Sequence, residues 1–303
     1  MGFLPKGADI LPPSDDRVFK LILTSPDAKP ALMDLISAVI GRNVVNVEVR
    51  NNEIPPADTN EKAERLDVNC RLDDNTQVDL EMQASRIEEV QDGKFQNLIG
   101  KSIYYLCDLH SSQSSRGVAR YDALAQTYQV TFCSYTVFPE RDEFVNSFSM
   151  RHDRDNELLS DAIHVVYVEL SKLQQTAQKS VHEMTDLEKW SIFFQYANNP
   201  TYRDRVNEVI ASKEELQMAG ELLMSISQDE RERAIFRSRR MYQNDMASNL
   251  ATAEARGEAK GEAKSRLEIV RKMIKAGSSV DFISDVTGLD RAEIEKLIPK
   301  EYA

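Results

Sequence analysis

Two stretches of alternating apolar and polar residues, separated by three polar residues, constrain the fold of this chain most. Residues 65–72 and 76–83 both alternate with the period of a β-strand that has one buried face. The intervening Asp-Asp-Asn suits a three-residue hairpin loop in which Asn75 is left-handed. In that register Val68 lies opposite Leu80, and Asp67 lies opposite Glu81. The pattern therefore predicts a hairpin with one apolar face and one face that carries two carboxylates.

The polar face of this hairpin has the chemistry of a metal site. Asp67 and Glu81 would be neighbours on adjacent strands, with Gln83 one step further along the same face. Two adjacent carboxylates repel each other unless a cation lies between them. Hard divalent cations bind such carboxylates, and water or phosphate oxygens complete the shell. The alternative is that these residues form only the solvated face of an ordinary hairpin.

Composition narrows the functional classes. The chain has 303 residues, enough for two or three folded units. It has no apolar run that could span a bilayer and no signal-peptide core, so we expect a cytoplasmic protein with no membrane partner. Cys70, Cys107 and Cys133 lie in apolar segments without metal-ligand spacing, which predicts buried free thiols. A net charge of −12 excludes nucleic-acid binding by the whole surface, so any DNA contact must be local or assisted by metal ions.

The segments around the hairpin alternate between helix and strand. Capping residues at positions 14–16 predict a first helix, and a second helix is predicted over residues 31–40, ended by Gly41. The remaining predictions are a strand over 44–54, a helix over 94–109, a strand over 129–138 and a further strand over 164–170. Together with the hairpin, these segments give the core order helix, three strands, helix, strand, and one further strand follows this core.

Several short motifs occur in a characteristic order along the chain. They are Asp16-x-x-Phe19-Lys20, Asp67 followed by Glu81-x-Gln83, Lys101-x-x-x-Tyr105 and Tyr121-x-x-Leu124. In this order the chain resembles the recombination-promoting nuclease family, also described as PD-(D/E)XK nuclease family transposases. The resemblance implies an α/β fold: a PD-(D/E)XK restriction-endonuclease-like core (helix, three strands, helix, strand) followed by an all-α C-terminal region.

The resemblance also implies a function and a set of site residues. It implies a metal-dependent DNA endonuclease that hydrolyses phosphodiester bonds in recombination or mobile-element processes. Mg²⁺, or another divalent cation, would be held by Asp16, Asp67, Glu81 and the backbone carbonyl of Met82.

This chain departs from the family pattern at one of the predicted catalytic residues. Gln83 stands where most members carry a lysine, so Lys101 is predicted to supply the positive charge from the following helix. Two alternatives stay open, because Asp16 can be a helix cap alone and Lys101 can be a solvated helix residue. The competing function is that of a non-cutting, nuclease-fold DNA-binding or assembly protein.

The second half of the chain is predicted to be helical. An apolar stripe starts near residue 185, and a longer helical span covers 212–255. Residues 255–264 form a four-residue repeat in which two glycines weaken a helix, whereas alternating Glu and Lys are expected to support it. Three short helices follow, and their small predicted core consists of Ile269, Ile274, Phe282, Ile283, Val286 and Ile294.

This pattern predicts the domain organisation. We expect a nuclease core at 1–175, a helical region at 176–254, and a tether with a small helical module at 255–303. The module resembles a helix-turn-helix, but the acidic balance of its last helix suits protein contact better than a DNA groove. We therefore expect a homo-oligomer formed through the C-terminal helices.

Overall fold

The computed structural model of the protein describes residues 3–50, 53–54, 64–65, 68–84, 96–113 and 120–297. The chain divides into two compact units, Met1–Arg233 and Ala234–Ala303. The first unit contains the sheets and most of the shorter helices, and the second is helical. In the part of the chain that is described, no helix is both long enough and apolar enough to cross a membrane.

The strands, in chain order, are β1 (Val47–Val49), β2 (Glu53–Ile54), β3 (Glu64–Arg65), β4 (Val68–Leu72), β5 (Gln77–Gln83), β6 (Thr127–Cys133), β7 (Val145–Arg151) and β8 (Leu158–Glu169). Within the described residues, one sheet has six strands in the order β1-β4-β5-β6-β8-β7, and β2 pairs with β3 separately. The pairs β5–β6 and β6–β8 are parallel, whereas the other pairs are antiparallel.

The helices are α1 (Asp16–Thr24), α2 (Lys29–Ile40), α3 (Gln96–Ser111), α4 (Asp186–Tyr196), α5 (Arg203–Ala211), α6 (Glu214–Gln228), α7 (Glu230–Lys275), α8 (Val280–Thr287) and α9 (Arg291–Glu295). With the strands, they confirm the predicted fold class: an α/β nuclease-type core followed by an all-α C-terminal region.

The hairpin has the predicted register. Val68 pairs with Leu80, and both side chains are fully buried. Asn75 takes the left-handed conformation with φ 69°, and the Leu72 amide donates to the Thr76 carbonyl at 2.9 Å. Asp67 lies outside the described residues, so its pairing with Glu81 stays a prediction.

The main core lies on the apolar face of this sheet. Phe19 of α1, Phe132 of β6 and Phe194 of α4 contact one another with ring centroids 5.2–5.7 Å apart. Asp15 begins α1, because its carboxylate accepts the amides of Arg17 and Val18. Helices α1 and α4 thus both pack on the apolar face of the sheet at Phe132 of β6.

Several predicted element boundaries were wrong. Residues 44–54 form two short strands that belong to different sheets. The strand predicted over 129–138 ends at Cys133. Beyond it, the buried Glu169 carboxylate accepts the amides of Val137 (2.6 Å) and Phe138 (3.0 Å), which therefore need no sheet partner. Two elements, β7 and α5, were not predicted.

The predicted helical span over 212–255 is interrupted. At Asp229 the backbone leaves the helical region, and its carboxylate accepts the Glu232 amide at 2.9 Å, which begins α7. Helix α7 then continues through the glycine repeat to Lys275. In the module that follows, Ile283 and Ile294 are buried as predicted, and Ile274 packs against them. The prediction was wrong for Ile269, Phe282 and Val286, which are exposed.

One of the three cysteines was predicted wrongly. Cys70 and Cys133 are buried thiols, whereas Cys107 is exposed. Helix α3 packs on the sheet through Leu98 and Leu106. Cys107 follows Leu106 directly, and one residue turns a helix by about 100°, so its side chain points away from the sheet.

Candidate functional site

Strand β5 carries a polar row that faces away from its apolar row. The polar row consists of Gln77, Asp79, Glu81 and Gln83, which alternate with Val78, Leu80 and Met82. Asp79 is 0% exposed and Glu81 is 3% exposed. The alternative of a solvated hairpin face is therefore wrong for Glu81.

Helix α3 covers the polar row. The crevice between helix and sheet is lined from the strands by Glu81, Gln83, Gln129 and Thr131, and from α3 by Leu98, Lys101, Ser102 and Tyr105. Thr131 of β6 is the parallel register partner of Glu81. Polar side chains of the sheet thus line one side of the crevice, and helix α3 lines the other side.

An ion pair joins the two sides of this crevice. Lys101 Nζ lies 2.9 Å from Glu81 Oε2 and 5.1 Å from the centroid of the Tyr105 ring. The Glu81 side chain is 4% exposed, whereas the Lys101 side chain is 35% exposed. A buried carboxylate is costly unless a cation or hydrogen-bond donors compensate it, and the ammonium group of Lys101 does so here. The structure therefore brings two of the predicted site residues together.

The other predicted site residues lie in different surroundings. Gln83 lines the same crevice. The Met82 side chain is buried on the opposite face, which leaves only its backbone carbonyl for a ligand role. Asp67 is outside the described residues.

Asp16 lies in the first turn of α1, where its Oδ1 accepts the Arg17 amide at 2.6 Å. Helix α1 packs through Phe19 onto Phe132, on the sheet face opposite the one lined by Glu81. A ligand shared by Asp16 and Glu81 therefore stays a prediction.

Asp79 is a buried carboxylate that the sequence reasoning missed. It precedes Glu81 by two residues on the same strand, so the alternation alone places both on one face. Its register partners are Asn69 on β4 and Gln129 on β6, so an amide residue stands on either side. Burial, together with the nearby Asp79 charge, raises the pKa of the Cys70 thiol.

The neutral oxygens of the crevice decide which ions fit it. Gln129 Oε1 is buried and has no hydrogen-bond partner within the described residues, so the crevice contains an unused oxygen acceptor. Glu81, Thr131 and Gln129 offer the oxygen ligands that Mg²⁺ prefers. Among the residues described, no three His, Cys, Asp or Glu side chains lie close enough to hold a metal. The set fits Mg²⁺ in ligand type and requires one more carboxylate, for which Asp67 is the predicted source.

Comparison with known proteins agrees with this geometry. The family model described as PD-(D/E)XK nuclease family transposase matches residues 13–253, which include α1, the hairpin and α3. No curated protein and no solved structure matches the chain. The family match covers well over half of the sequence, so the chain belongs to the PD-(D/E)XK nuclease family transposases.

Proposed function

We propose that this protein is a metal-dependent endonuclease that hydrolyses phosphodiester bonds of DNA in recombination or mobile-element processes. The family is a nuclease family linked to transposition. The observation that carries the proposal is the buried Glu81 carboxylate, which contacts Lys101 and belongs to the Glu81-x-Gln83 segment that resembles the family motif except at Gln83. A buried carboxylate that is paired with a partly exposed lysine in a crevice makes this position a candidate functional site.

Each residue has a distinct role in this proposal. Glu81 and Asp67, with the backbone carbonyl of Met82, would hold Mg²⁺, and Asp16 would be a further ligand. When bound, the ion would polarise a phosphate oxygen and lower the pKa of a bound water molecule. Lys101 fixes the orientation of the Glu81 carboxylate through its 2.9 Å contact.

The positive charge of the site comes from helix α3 in this proposal. The amide of Gln83 can donate a hydrogen bond to a phosphate or a water molecule, but it has no charge. The ammonium group of Lys101 lines the same crevice and can stabilise negative charge that develops on a phosphate. Lys101 therefore takes the role that a lysine at position 83 has in most relatives.

The test is cleavage of supercoiled plasmid with Mg²⁺, Mn²⁺, Ca²⁺ or no divalent ion. Glu81→Gln and Asp67→Asn remove a charge with little change of shape, and Asp153→Asn removes an exposed carboxylate as a matched control. We expect the wild type and Asp153→Asn to cut only with a divalent ion, and the two site variants to lose at least about a hundredfold in rate.

Stability has to be followed in the same variants. Glu81→Gln should shift the melting temperature by only a few degrees, because the partly exposed Lys101 can turn towards water. Wild-type protein that never nicks DNA with any divalent ion would contradict the nuclease proposal.

The second proposal is a protein that binds DNA or assembles on it without cutting. The neutral Gln83 in place of a lysine favours this alternative. We also propose self-association through the C-terminal helices, since the module leaves Phe282 (56%) and Val286 (58%) exposed. DNA binding without nicking, together with self-association, is the outcome that this alternative expects.

A further inference from the structure

The middle of helix α7 has no packing partner within the described chain. Every side chain described between positions 240 and 269 is exposed. The exposed residues include Tyr242 (66%), Met246 (52%) and Leu250 (52%), which follow one another at intervals of four. At this spacing they lie on one side of the helix and form an apolar face open to solvent.

The glycine repeat extends this face and separates the charges on either side of it. Since each residue turns the helix by about 100°, each position of the four-residue repeat forms its own slowly winding stripe. From Leu250 a step of three residues leads to Ala253, and steps of four then lead to Gly257 and Gly261, on the same side of the helix. We call this side, from Tyr242 to Gly261, the pairing face. The acidic stripe on one side of it is Glu254, Glu258 and Glu262, and the basic stripe on the other side is Arg256, Lys260 and Lys264.

This arrangement does not stabilise an isolated helix. Opposite charges lie two residues apart and do not meet, whereas residues four apart carry like charges and destabilise the helix. Among the described residues, the charges at 254–264 form no ion pair, in contrast to Lys272 and Glu268 at 3.2 Å. The expected support from alternating Glu and Lys is therefore absent.

We infer that the pairing face binds the same face of a second copy of this chain, with the two helices parallel and in register. In a parallel pair related by a two-fold axis, the acidic stripe of each helix lies beside the basic stripe of the other, on both sides of the contact. In an antiparallel pair, like stripes would meet and repel. Gly257 and Gly261 allow the two backbones to approach closely, because neither carries a side chain at the contact.

This inference rests on the proposed self-association and adds its surface and polarity. It is independent of whether the protein cuts DNA. In each copy, residues 1–233 precede the pairing face in the chain. A parallel pair therefore has residues 1–233 of both copies attached to the same end of the helix pair.

A single engineered cysteine tests which side of α7 makes the contact in the full-length protein. The exposed Cys107 is first replaced by serine, which leaves only the buried Cys70 and Cys133. Leu250→Cys in this background should give a covalent dimer on mild oxidation, because a parallel in-register pair brings the two positions within the reach of a disulfide. Ala255→Cys, equally exposed but on the opposite side of the helix, is the matched control and should stay monomeric in denaturing gels.

Charge reversal tests the stripes. One variant carries Glu254→Lys, Glu258→Lys and Glu262→Lys, and a second carries Arg256→Glu, Lys260→Glu and Lys264→Glu. In sedimentation, each variant alone should dimerise at least about tenfold more weakly than the wild type, and an equal mixture of the two should recover the wild-type affinity. All these positions are exposed, and circular dichroism checks that the fold is unchanged.

The outcomes separate this inference from the proposed self-association. A full-length protein that is monomeric overturns both. A dimer whose affinity ignores both charge reversals, or in which Ala255→Cys crosslinks better than Leu250→Cys, overturns only the parallel pairing face. Crosslinking at Leu250→Cys with recovery in the mixed charge variants is the result that we expect.

Discussion

Lys101 and Gln83 together determine how charge is distributed at the site. Glu81 is almost completely buried, and its carboxylate contacts Lys101 across the crevice. Gln83 lines the same crevice from the strand that carries Glu81. A lysine introduced at position 83 would therefore place its positive charge in the crevice that Lys101 now lines from α3. Mutations can move the positive charge from position 101 to position 83.

We predict that Lys101→Met lowers the rate of DNA cleavage by about a hundredfold, because one preorganised charged donor is lost. Gln83→Lys in the Lys101→Met background should restore most of that loss, since the charge returns to the same crevice. Single-turnover cleavage of plasmid measures both effects.

Gln83→Met in the Lys101→Met background is the control for side-chain length without charge. If it restored as much activity as the lysine, packing rather than charge would explain the rescue, and the proposed role of Lys101 would be wrong.

Single residues also mark where sequence reasoning stops. Alternation placed Glu81 on the right face of β5, but it could not tell that α3 would cover that face and bury it. The same alternation also places Asp79 on this face, but Asp79 is not one of the motif residues. Cys107 was misplaced because an apolar segment does not fix the direction in which each helical side chain points.

At the scale of elements, one ion pair joins the start of α1 to the start of α7. Arg17 Nε and Nη2 donate to the two carboxylate oxygens of Glu232 at 2.7 and 2.8 Å. The hydrogen bond from Arg17 lowers the pKa of the Glu232 carboxyl below its ordinary value of 4.5. Arg17 directly follows the predicted ligand Asp16, so the pair also anchors that turn of α1.

The depressed pKa predicts a pH dependence of stability. A carboxyl with a lowered folded-state pKa stabilises the protein above its unfolded-state pKa, and the contribution disappears as the pH falls through the folded value. The wild type should therefore melt at a higher temperature than Glu232→Gln at pH 7, and the difference should shrink below about pH 4.5.

Thermal melts between pH 7 and pH 3 measure this difference. Glu230→Gln, an exposed neighbour in the same turn of α7, is the matched control. A difference in melting temperature between the wild type and Glu232→Gln that stays constant down to pH 3 would contradict the prediction.

Prediction of the elements succeeded where local signals were strong. Strict alternation and a left-handed Asn75 fixed the β4–β5 register, and Gly41 ended α2 as expected. The edge strand β7 was missed because most of its residues are exposed and lack an apolar row. The end of β6 depends on the Glu169 carboxylate, which lies more than thirty residues further along the chain, beyond the reach of local patterns.

At the scale of the whole molecule, charge limits how the protein can meet DNA. With a net charge of −12, its surface as a whole repels the phosphate backbone. We therefore expect local contact with DNA, for example at the proposed site, where a divalent ion and Lys101 would add positive charge. Under the parallel pairing proposed for α7, two such sites would be held in one particle.

The last prediction concerns both units and the products of cleavage. A chain that ends at Arg240 keeps the first unit and about three turns of α7, including the Arg17–Glu232 pair, but lacks the pairing face. It should nick supercoiled plasmid at a rate per site close to that of the full-length protein. It should yield much less linear DNA at early times, because a single active site has to dissociate and rebind to cut the second strand.

Gels that resolve nicked from linear plasmid, run beside sedimentation, measure this change. The full-length Glu254→Lys, Glu258→Lys, Glu262→Lys variant should give the same excess of nicked product as the truncated chain, since it keeps its length and loses only the pairing. Mixing it with the Arg256→Glu, Lys260→Glu, Lys264→Glu variant should bring linear product back. A truncated chain that linearises plasmid as readily as the full-length protein would mean that both strands are cut without pairing through α7.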